Sequence, residues 1–509
     1  MGGAETLLNI VALVASLADI ARAVLRAPFV DLRLLVGTPA AWAPVLAAVL
    51  LATTAWWQDQ SQRFRGRSRH IPDALAGMFG LAMLVWLFHA GQCPWTEGDW
   101  REEWTFFIAW KQALAAGTMP YYLGTAMQGT ERYLANPQTP LMPYVVALAF
   151  VDLRTFFLFH MALVYSLGFL GAVALRRELE LRMLPWTMFL LLFTLNGHII
   201  SHLSVGHLPW AAYFLSPWIV LSAVRTSRGD RSSRNAAMCA VTFAGMILIG
   251  GWHVFVWSLL FIIFAGLVPP RRIAVVARIG LMTALLAAVR LAPAVVTYGG
   301  GSNTFVSGYP SAGSLLAALV ATPIRNDLLE PWELDAYVGY TGFLVLCLGI
   351  IPFRQSAKRF LNALLLPTAA LILLSLGDVY ERTLFRLPGF VSERVTSRFI
   401  ILPILWLTLA GCGRIDAWWR RAERPLARSL LVLLAVSFLA AQLVLRAQVW
   451  RPHAGTTLNG LPVAVLKTTV VEPLYWWAFW CGAAVSAASA FAVGRVLFKR
   501  GSVEARPLG

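Results

Sequence analysis

Carboxylates crowd together at one point of this sequence, directly after an apolar run. The segment Glu97-Gly-Asp99-Trp-Arg-Glu102-Glu103 places four acidic side chains within seven residues. Acids that lie close together at the edge of a membrane are poorly hydrated, so at least one of them holds a proton more tightly than an isolated acid does. This arrangement suits a general base or a metal ligand. A solvated loop with an acidic patch explains the segment equally well from position alone.

Imidazole side chains form a second group. His198, His202 and His207 lie within ten residues of one another, and a helix would place the first two on one face. Such a group can ligate a metal ion or form hydrogen bonds to a phosphate or a sugar. The neighbouring glycines argue against a continuous helix. Interfacial histidines that cap helix ends are therefore favoured over a zinc site.

Two arginines form the third group. Arg394 and Arg398 are four residues apart, which predicts one shared helix face at the start of an apolar run. A charge buried toward the bilayer centre costs roughly 2.5–3.5 kcal/mol, so such arginines usually have an anionic partner. A guanidinium fits two phosphate oxygens at once, and this favours a lipid-phosphate headgroup. Snorkelling to the interface, or pairing with Glu393, is the alternative.

The composition predicts a membrane protein around these groups. Of 509 residues, 58% are hydrophobic and 13% are charged, about half the charged share of a soluble domain. The net charge of +17 does not indicate nucleic-acid binding, because the basic residues form short clusters between apolar runs. We predict an all-α polytopic protein of about 13 to 14 transmembrane helices. The predicted spans are 38–57, 73–91, 154–175, 183–199, 207–223, 236–250, 252–268, 279–297, 338–353, 361–376, 397–413, 428–445 and 474–497, and 5–25 is either a further span or an interfacial helix.

Basic clusters predict the orientation. Because cytoplasmic loops are enriched in Lys and Arg, all seven clusters and the C-terminus are assigned to the cytoplasm. The clusters lie at 63–69, 176–182, 225–234, 271–278, 354–359, 414–428 and 499–506. Three outer loops then remain, at 92–153, 297–337 and 377–396, and the first is broken by Pro and Gly into short surface helices. We divide the chain into N-terminal helices (1–72), a transmembrane core (73–413) and C-terminal helices (414–509).

Other residues of the predicted outer face could contact a sugar. Aromatic rings such as Trp332 and Tyr337, with acids beside them, are typical of surfaces that stack on sugars. The predicted substrate-binding set is completed by Tyr121, Glu131, Arg132, Gln138, His198 and His202. His253, inside an apolar run, is interpreted as a helix-packing residue.

Six short motifs in order resemble a known superfamily. They are Gly98-Asp99 after an early span, Leu114-Ala-Ala-Gly117-Thr-Met-Pro120-Tyr, Asn136-Pro137, Gly206-His207, Tyr340-Thr-Gly342, and Leu387-Pro-Gly-Phe390 followed by Arg394 and Arg398. Over about residues 73 to 413 this order resembles the GT-C superfamily of polyprenyl-phosphate-dependent glycosyltransferases, most closely its bacterial YfhO-like branch. The segment Glu131-Arg132-Tyr133 departs from the usual pattern, which leaves the acceptor open.

The resemblance implies an inverting transferase in the bacterial inner membrane, with its active site facing the periplasm or exterior. Its partners would be a polyprenyl-phosphate sugar donor, a lipid or glycan acceptor and membrane lipids. Asp99 would be the general base, with Glu97, Glu102 or Glu103 as runner-up, while Arg394 and Arg398 with His207 would hold the donor phosphate. A divalent metal is compatible with this chemistry but not required. The alternative is a transporter or flippase of a lipid-linked saccharide, although no inverted repeat is visible.

Overall fold

The computed structural model is almost entirely helical over the part of the chain that it describes. That part comprises residues 42–60, 71–91, 99–125, 129–267, 272–297, 305–321, 329–354, 356–387, 390, 393–421, 425–451, 465–466 and 472–498. The α-helices in it are Trp42–Gln60 (α1), Ile71–Leu87 (α2), Trp100–Ala115 (α3), Leu153–Glu178 (α4), Met183–Leu195 (α5), Gly197–Ser204 (α6), Ser216–Arg228 (α7), Ser233–Leu248 (α8), Trp252–Gly266 (α9), Ile273–Leu286 (α10), Ala288–Thr297 (α11), Ala312–Val320 (α12), Pro331–Leu334 (α13), Gly339–Ile350 (α14), Leu365–Leu374 (α15), Gly377–Thr383 (α16), Ile401–Arg420 (α17), Pro425–Trp450 (α18) and Pro473–Phe498 (α19). Short 3-10 helices lie at His89–Gly91, Tyr133–Ala135, Pro143–Ala149, Leu208–Leu215, Ser356–Leu364 and Thr396–Ile400.

The apolar helices confirm a polytopic, membrane-embedded all-α protein. In the described ranges, five helices are long and apolar enough to cross a bilayer: Leu153–Glu178, Met183–Ser204, Thr396–Arg420, Leu426–Trp450 and Pro473–Phe498. The pair α10 and α11 forms a sixth if its 83° bend is counted within one span. This is fewer than the 13 to 14 spans predicted. Most of the other predicted spans coincide with helices that are shorter, or that are broken into a 3-10 and an α segment as at 207–223 and 361–376.

One continuous apolar core holds the helices together, running from Val45 to Phe479. The apolar window of α5 and α6 is 100% buried, so this element lies inside the bundle. The corresponding window of α19 is only 11% buried, which leaves its apolar side chains facing outward, as lipid contact requires. The core crosses both predicted domain boundaries, and the three-part division stays a prediction.

The basic clusters meet one another at one end of the bundle. Arg225 at the end of α7 pairs with Glu178 at the end of α4, at 3.0 Å. Arg182 lies 3.7 Å from Asp416 near the end of α17. Further contacts between clusters join Arg228 to Glu178, Arg278 to the carbonyl of Arg231, Lys358 to the carbonyl of Leu179, and Arg420 to the carbonyl of Glu180. The five basic clusters within the described ranges are therefore neighbours in space, while those at 63–69 and 499–506 lie outside these ranges.

A small sheet replaces part of the predicted set of surface helices in the first outer loop. Tyr122–Thr125 (β1) pairs antiparallel with Gly129–Arg132 (β2), and Val465–Leu466 (β3) joins the other edge of β1. In the described parts of this loop, 99–125 and 129–153, the helical segments before α4 are α3 and the 3-10 turns. The β-branched and aromatic residues of the two strands fit a hairpin better than a helix, and the sequence reading overlooked this signal.

Candidate functional site

Asp99 is fixed against the turn that follows α6. It occupies the N-cap position of α3 without using its side chain as a cap, so the carboxylate is left for other contacts. Its backbone N–H donates to the carbonyl of Val205 at 3.2 Å, and the indole of Trp100 donates to the carbonyl of Ser204 at 3.0 Å. Gly206, at φ +102°, allows the close approach, because a Cβ there would collide with the backbone of Trp100.

A cleft of about 730 Å³ opens beside Asp99. Residues from six separate parts of the chain line it, including α3, the turn after α6, the start of α9 and the segment before α17. Asp99 and Arg394 therefore share one cavity although they are far apart in sequence. Among the predicted site residues, the cleft is lined by Asp99, Glu102, Glu103, Gln138, His207, Arg394 and Arg398.

One side of the cleft, formed by Asp99, Glu102, Glu103 and His207, is named the acidic wall. His207 contacts the Asp99 carboxylate through Nε2, and its Nδ1 lies 2.6 Å from Nδ1 of His202. A chain of polar contacts continues behind this wall, since Nε2 of His202 lies 3.5 Å from Glu333, which forms a two-pronged ion pair with Arg398. His207 and Arg398, both predicted to hold phosphate, are thus already engaged by carboxylates.

The surroundings shift the pKa values of the acids in the acidic wall, and of Glu333 behind it, in different directions. The hydrogen bond from His207 lowers the pKa of Asp99, more than partial burial raises it. Burial, with the nearby charges of Glu102 and Asp99, raises the pKa of Glu103 well above its usual range. For Glu333, burial raises the pKa but Arg398 outweighs it, so the net pKa is lowered. Asp99 is therefore ionised at neutral pH, while Glu103 favours its protonated form.

A second set of residues that line the cleft, His253, Glu393 and Arg394, is named the basic wall. Nδ1 of His253 lies 2.8 Å from Glu393, whose other oxygen accepts a hydrogen bond from the Trp257 indole at 2.9 Å. Nε2 of His253 points toward Gln138, 3.4 Å away. His253, interpreted from the sequence as a helix-packing residue, is held at the lining of the cleft by the buried carboxylate of Glu393, and that interpretation stays a prediction.

The four-residue spacing of Arg394 and Arg398 predicted a shared helix face, and this prediction is wrong. Arg398 lies in the 3-10 helix Thr396–Ile400, whereas Arg394 lies in the extended segment before it. A short bridge holds that segment, in which Ser307 N–H donates to the carbonyl of Arg394 at 2.9 Å. The guanidinium of Arg394 lies over the Phe305 ring at 5.0 Å. Pairing with the neighbouring acid, the alternative for these arginines, is not seen, since Glu393 binds His253 and Trp257.

Arg290 contributes a buried cation to the cleft lining, at the bend between α10 and α11. Its guanidinium donates to the carbonyls of Leu134 at 2.9 Å and Asn136 at 2.6 Å, and to Thr139. These contacts fix the loop that presents Gln138. Arg290 therefore shapes the cleft, with its nitrogens directed mainly at the protein itself.

Several predicted substrate-binding residues lie elsewhere. His198 bonds to the carbonyl of Asp335 at 2.7 Å, and Tyr337 is buried beside Arg446. Tyr121 and Arg132 contact the α19 region instead, through Trp480 and Glu472 respectively. Trp332 and His202 also fall outside the cleft lining. Glu97 and the side chain of Glu131 lie outside the described residues.

His202, His207 and Glu333 could hold a metal ion. Each offers a ligand atom, and these atoms lie within 4.8 Å of one another. Two imidazoles and a carboxylate are a donor set that zinc accepts. Nε2 of His202 is buried and has no hydrogen-bond partner in the part of the chain that is described, which leaves it available as a ligand. A divalent metal thus remains compatible with the site without being needed for its contacts.

Comparison with protein families and with curated proteins gives no match to this sequence. The resemblance to GT-C glycosyltransferases therefore stays a prediction that rests on the sequence motifs alone.

Sequence reasoning missed two residues that define the basic wall. His253 and Glu393 are far apart in sequence, and neither has a local motif around it. One signal was present: Gly250-Gly251 directly before His253 is unusual in an apolar run, and paired glycines there indicate a helix start close to another backbone.

Proposed function

We propose that this protein is a membrane glycosyltransferase that moves a sugar from a polyprenyl-phosphate donor to a hydroxyl group of a lipid or glycan acceptor. The observation that carries the proposal is the shared cleft of Asp99 and Arg394. An ionised carboxylate faces an arginine across a cavity large enough for a sugar, at the end of the bundle away from the basic clusters. These are the two groups that the reaction needs.

The reaction assigns one role to each wall. The acceptor oxygen attacks the anomeric carbon, the bond from that carbon to the phosphate oxygen breaks, and its electron pair leaves with the phosphate. Asp99 takes the proton of the acceptor hydroxyl. Arg394 stabilises the negative charge on the departing phosphate. A phosphate leaves as an anion, so no carboxylic acid is needed to protonate it, unlike in glycoside hydrolysis. Direct attack inverts the anomeric configuration.

The lowered pKa of Asp99 makes its carboxylate a weak base, so its role depends on its position next to the acceptor hydroxyl and not on strong basicity. Its carboxylate stays ionised at neutral pH and is ready to accept a proton as the hydroxyl attacks. We retain Asp99 as the general base and Glu102 as an acidic neighbour. The phosphate role predicted for Arg398 and His207 becomes secondary, because Glu333 and Asp99 already engage them.

The positive-inside rule supports a cleft that opens outward. The basic clusters that contact one another are assigned to the cytoplasm, and none of their residues lines the cleft. The active site then faces the periplasm or exterior of the bacterial inner membrane, with the C-terminus inside. An acceptor in the outer leaflet would reach the cleft directly.

A transporter or flippase of a lipid-linked saccharide is the second candidate, and the bent pair α10 and α11 favours it. Broken helices beside a polar cavity are typical of secondary transporters. Here the bend is 83° and Arg290 lies at it, against the cleft. In a secondary transporter, however, the ionisable groups of the site lie near the membrane midplane, whereas here they converge at one end of the bundle.

A reconstitution assay separates the two candidates. Purified protein in proteoliposomes is given radiolabelled polyprenyl-phosphate hexoses and pentoses with a bacterial lipid extract as acceptor. We expect label to move from donor to acceptor in the wild type, and Asp99→Asn to reduce this transfer by roughly 10²–10⁴-fold. Asp378→Asn is the matched control, since Asp378 is an exposed acid of the third predicted outer loop outside the cleft lining. Movement of intact donor between leaflets without transfer, unaffected by Asp99→Asn, would identify a flippase instead.

A further inference from the structure

Glu103 is a buried acid of the cleft to which the proposed reaction gives no task. It lies one helical turn after Asp99, and its backbone N–H donates to the carbonyl of Asp99 at 3.1 Å. Side chains four residues apart on a helix share one face, with Cβ atoms about 5–6 Å apart. Both residues line the cleft. The acidic wall therefore presents two carboxyl groups side by side to a ligand.

The two carboxyl groups differ in their partners. The Asp99 carboxylate is half exposed and contacts the His207 imidazole. Glu103 is 8% exposed, and its carboxyl group forms no hydrogen bond or ion pair within the part of the chain that the structure describes. Of two carboxyls that share one site, the one without a partner keeps its proton, because burial and the neighbouring charge both oppose its ionisation. Glu103 therefore carries an O–H group at the lining of the cleft, in agreement with its raised pKa.

The charged groups of the cleft do not change this assignment. The charges that act on Glu103 are those of Glu102 and Asp99, on its own helix, and both oppose ionisation. The arginines of the lining contact other groups, since Arg398 pairs with Glu333 and Arg290 donates to loop carbonyls. The titratable and charged groups that other elements bring to the lining are His207, His253, Arg290, Glu393, Arg394 and Arg398.

A protonated carboxyl beside an ionised one matches two hydroxyl groups of one molecule. An ionised carboxylate can only accept hydrogen bonds, whereas a protonated carboxyl donates one through its O–H, and a hydroxyl oxygen can serve either of them. Hydroxyl groups on adjacent carbons of a sugar ring are neighbours, as Asp99 and Glu103 are on α3. A sugar that gives one hydroxyl to Asp99 therefore brings the next one to Glu103. A simple lipid alcohol has a single hydroxyl and leaves the buried O–H of Glu103 without a partner, which is unfavourable.

We propose that Glu103 determines acceptor specificity, because its neutral carboxyl group donates a hydrogen bond to the sugar hydroxyl next to the one that Asp99 deprotonates. The acceptor is accordingly a sugar with adjacent hydroxyl groups and not a simple lipid alcohol. The role of Asp99 in this contact rests on the proposed function. The contact between the Glu103 carboxyl and a sugar hydroxyl does not require turnover.

Infrared spectroscopy tests the protonation of Glu103. Spectra of the full-length protein in lipid nanodiscs at neutral pH are recorded for the wild type and for Glu103→Gln, and one is subtracted from the other. We expect the C=O stretching band of a protonated carboxyl in the wild type and its loss in Glu103→Gln. Glu381→Gln is the matched control and should lose a carboxylate band, because Glu381 is an exposed acid of the third predicted outer loop outside the cleft lining. Loss of a carboxylate band in Glu103→Gln as well would overturn the proposal.

Sugar probes test the hydrogen bond itself. The β-glucoside, β-galactoside and β-mannoside of decanol are added to the nanodiscs, and free decanol serves as the probe with a single hydroxyl. A hydrogen bond from a carboxyl group lowers its C=O stretching frequency, so we expect at least one glycoside to shift the Glu103 band and decanol to leave it in place. An equal shift with decanol would reject the requirement for a sugar. A band that none of the three glycosides shifts would refute the contact.

The transfer assay assigns the contact to the reaction. As the pH rises through the raised pKa of Glu103, its carboxyl loses the donated proton, so transfer by the wild type should fall. Glu103→Gln keeps a neutral hydrogen-bond donor and should transfer at a rate close to that of the wild type without this alkaline limb. Glu103→Leu removes the donor and should raise the KM for the acceptor roughly tenfold, while Glu381→Leu leaves it unchanged.

Failure of the contact and failure of the proposed function give different results. An unchanged KM in Glu103→Leu, or an alkaline limb that persists in Glu103→Gln, would reject the contact while transfer that depends on Asp99 retains the transferase. A Glu103 band that responds to glycosides in a protein that transfers no sugar would retain the sugar contact and reject the transferase.

Discussion

The two walls of the cleft contain the same kinds of residue in opposite arrangements. On the acidic wall the carboxylate of Asp99 is the exposed member, at 53%, and its partner His207 lies deeper at 14%. On the basic wall the carboxylate of Glu393 is buried at 2% and its partner His253 faces the cleft. The exposed member of each pair is the one that a substrate meets. A pair of a carboxylate and an imidazole thus presents its carboxylate to the cleft on one wall and its imidazole on the other.

The two arginines differ in the same way. Arg398 is engaged by the buried carboxylate of Glu333 behind the acidic wall, and Arg394 on the basic wall has no such partner among the described residues. The first arginine is an internal structural charge, and the second is a charge that a ligand can neutralise. Burial and pairing therefore separate a stabilising arginine from a binding one, although the sequence spacing suggested a single function for both.

The largest expected effect is a loss of stability on removal of Arg398. Arg398→Ala leaves Glu333 buried without its cation, and breaking a buried pair in this way typically costs about 3–5 kcal/mol. Arg394→Ala, the matched variant, removes no ion pair and should change the free energy of unfolding by less than about 1 kcal/mol. Unfolding of both variants in detergent, followed by circular dichroism, measures the difference. Equal losses would contradict the distinction between the two arginines.

His207→Gln should give the next largest effect. Among the described residues, His207 is the side chain that holds the Asp99 carboxylate at the start of α3, so its loss should disorient the carboxylate and lower kcat by roughly tenfold or more. Because His207 lowers the pKa of Asp99, its removal should move the acid limb of the pH profile of kcat upward. His160→Gln is the control, since His160 contacts Tyr144 and lies outside the cleft lining. Transfer assays between pH 4 and 8 check both parts, and an unshifted acid limb would mean that another group is the base.

Substitution of a glycine at the start of α9 should have a smaller effect than removal of His207. Gly250 has φ +89°, and a Cβ there would meet the carbonyl oxygen of Gln138. Gly250→Ala should therefore cost about 1–3 kcal/mol of stability and displace the first turn of α9. Gly280→Ala, in α10, is the control, because a Cβ at Gly280 meets no atom within 4 Å. Melting temperatures and the KM of the donor in the transfer assay measure both consequences. An unchanged KM would show that the α9 turn does not contribute to binding.

The sequence predicted which groups could do chemistry better than it predicted how they pair. Apolar runs and basic clusters indicate membrane helices and the end of the bundle where each loop lies, and that information was enough to bring Asp99 and Arg394 to the same face. The pairing of His207 with Asp99, and of Arg398 with Glu333, depends on how turns that are far apart in sequence pack against each other. The period of apolar residues along a helix gives no information on which residues of another segment lie next to it. The hairpin of β1 and β2 was missed for a different reason, because its strands are four residues long and too short for a clear alternation.

The smallest expected effect is that of removing the Glu103 carboxyl, which should stabilise the protein instead of destabilising it. Burial raises the pKa of this acid in the folded protein, so folding favours its protonated form. The unfolded chain releases the proton at lower pH. Stability is therefore lost as the pH rises from the unfolded pKa through the folded one. Glu103→Gln removes this penalty and should stabilise the protein by about 1 kcal/mol at pH 8, with no gain near pH 4. Thermal unfolding of the wild type and the variant at both pH values measures the difference. A gain of equal size at both pH values would mean that packing, and not the buried charge of the acidic wall, is responsible.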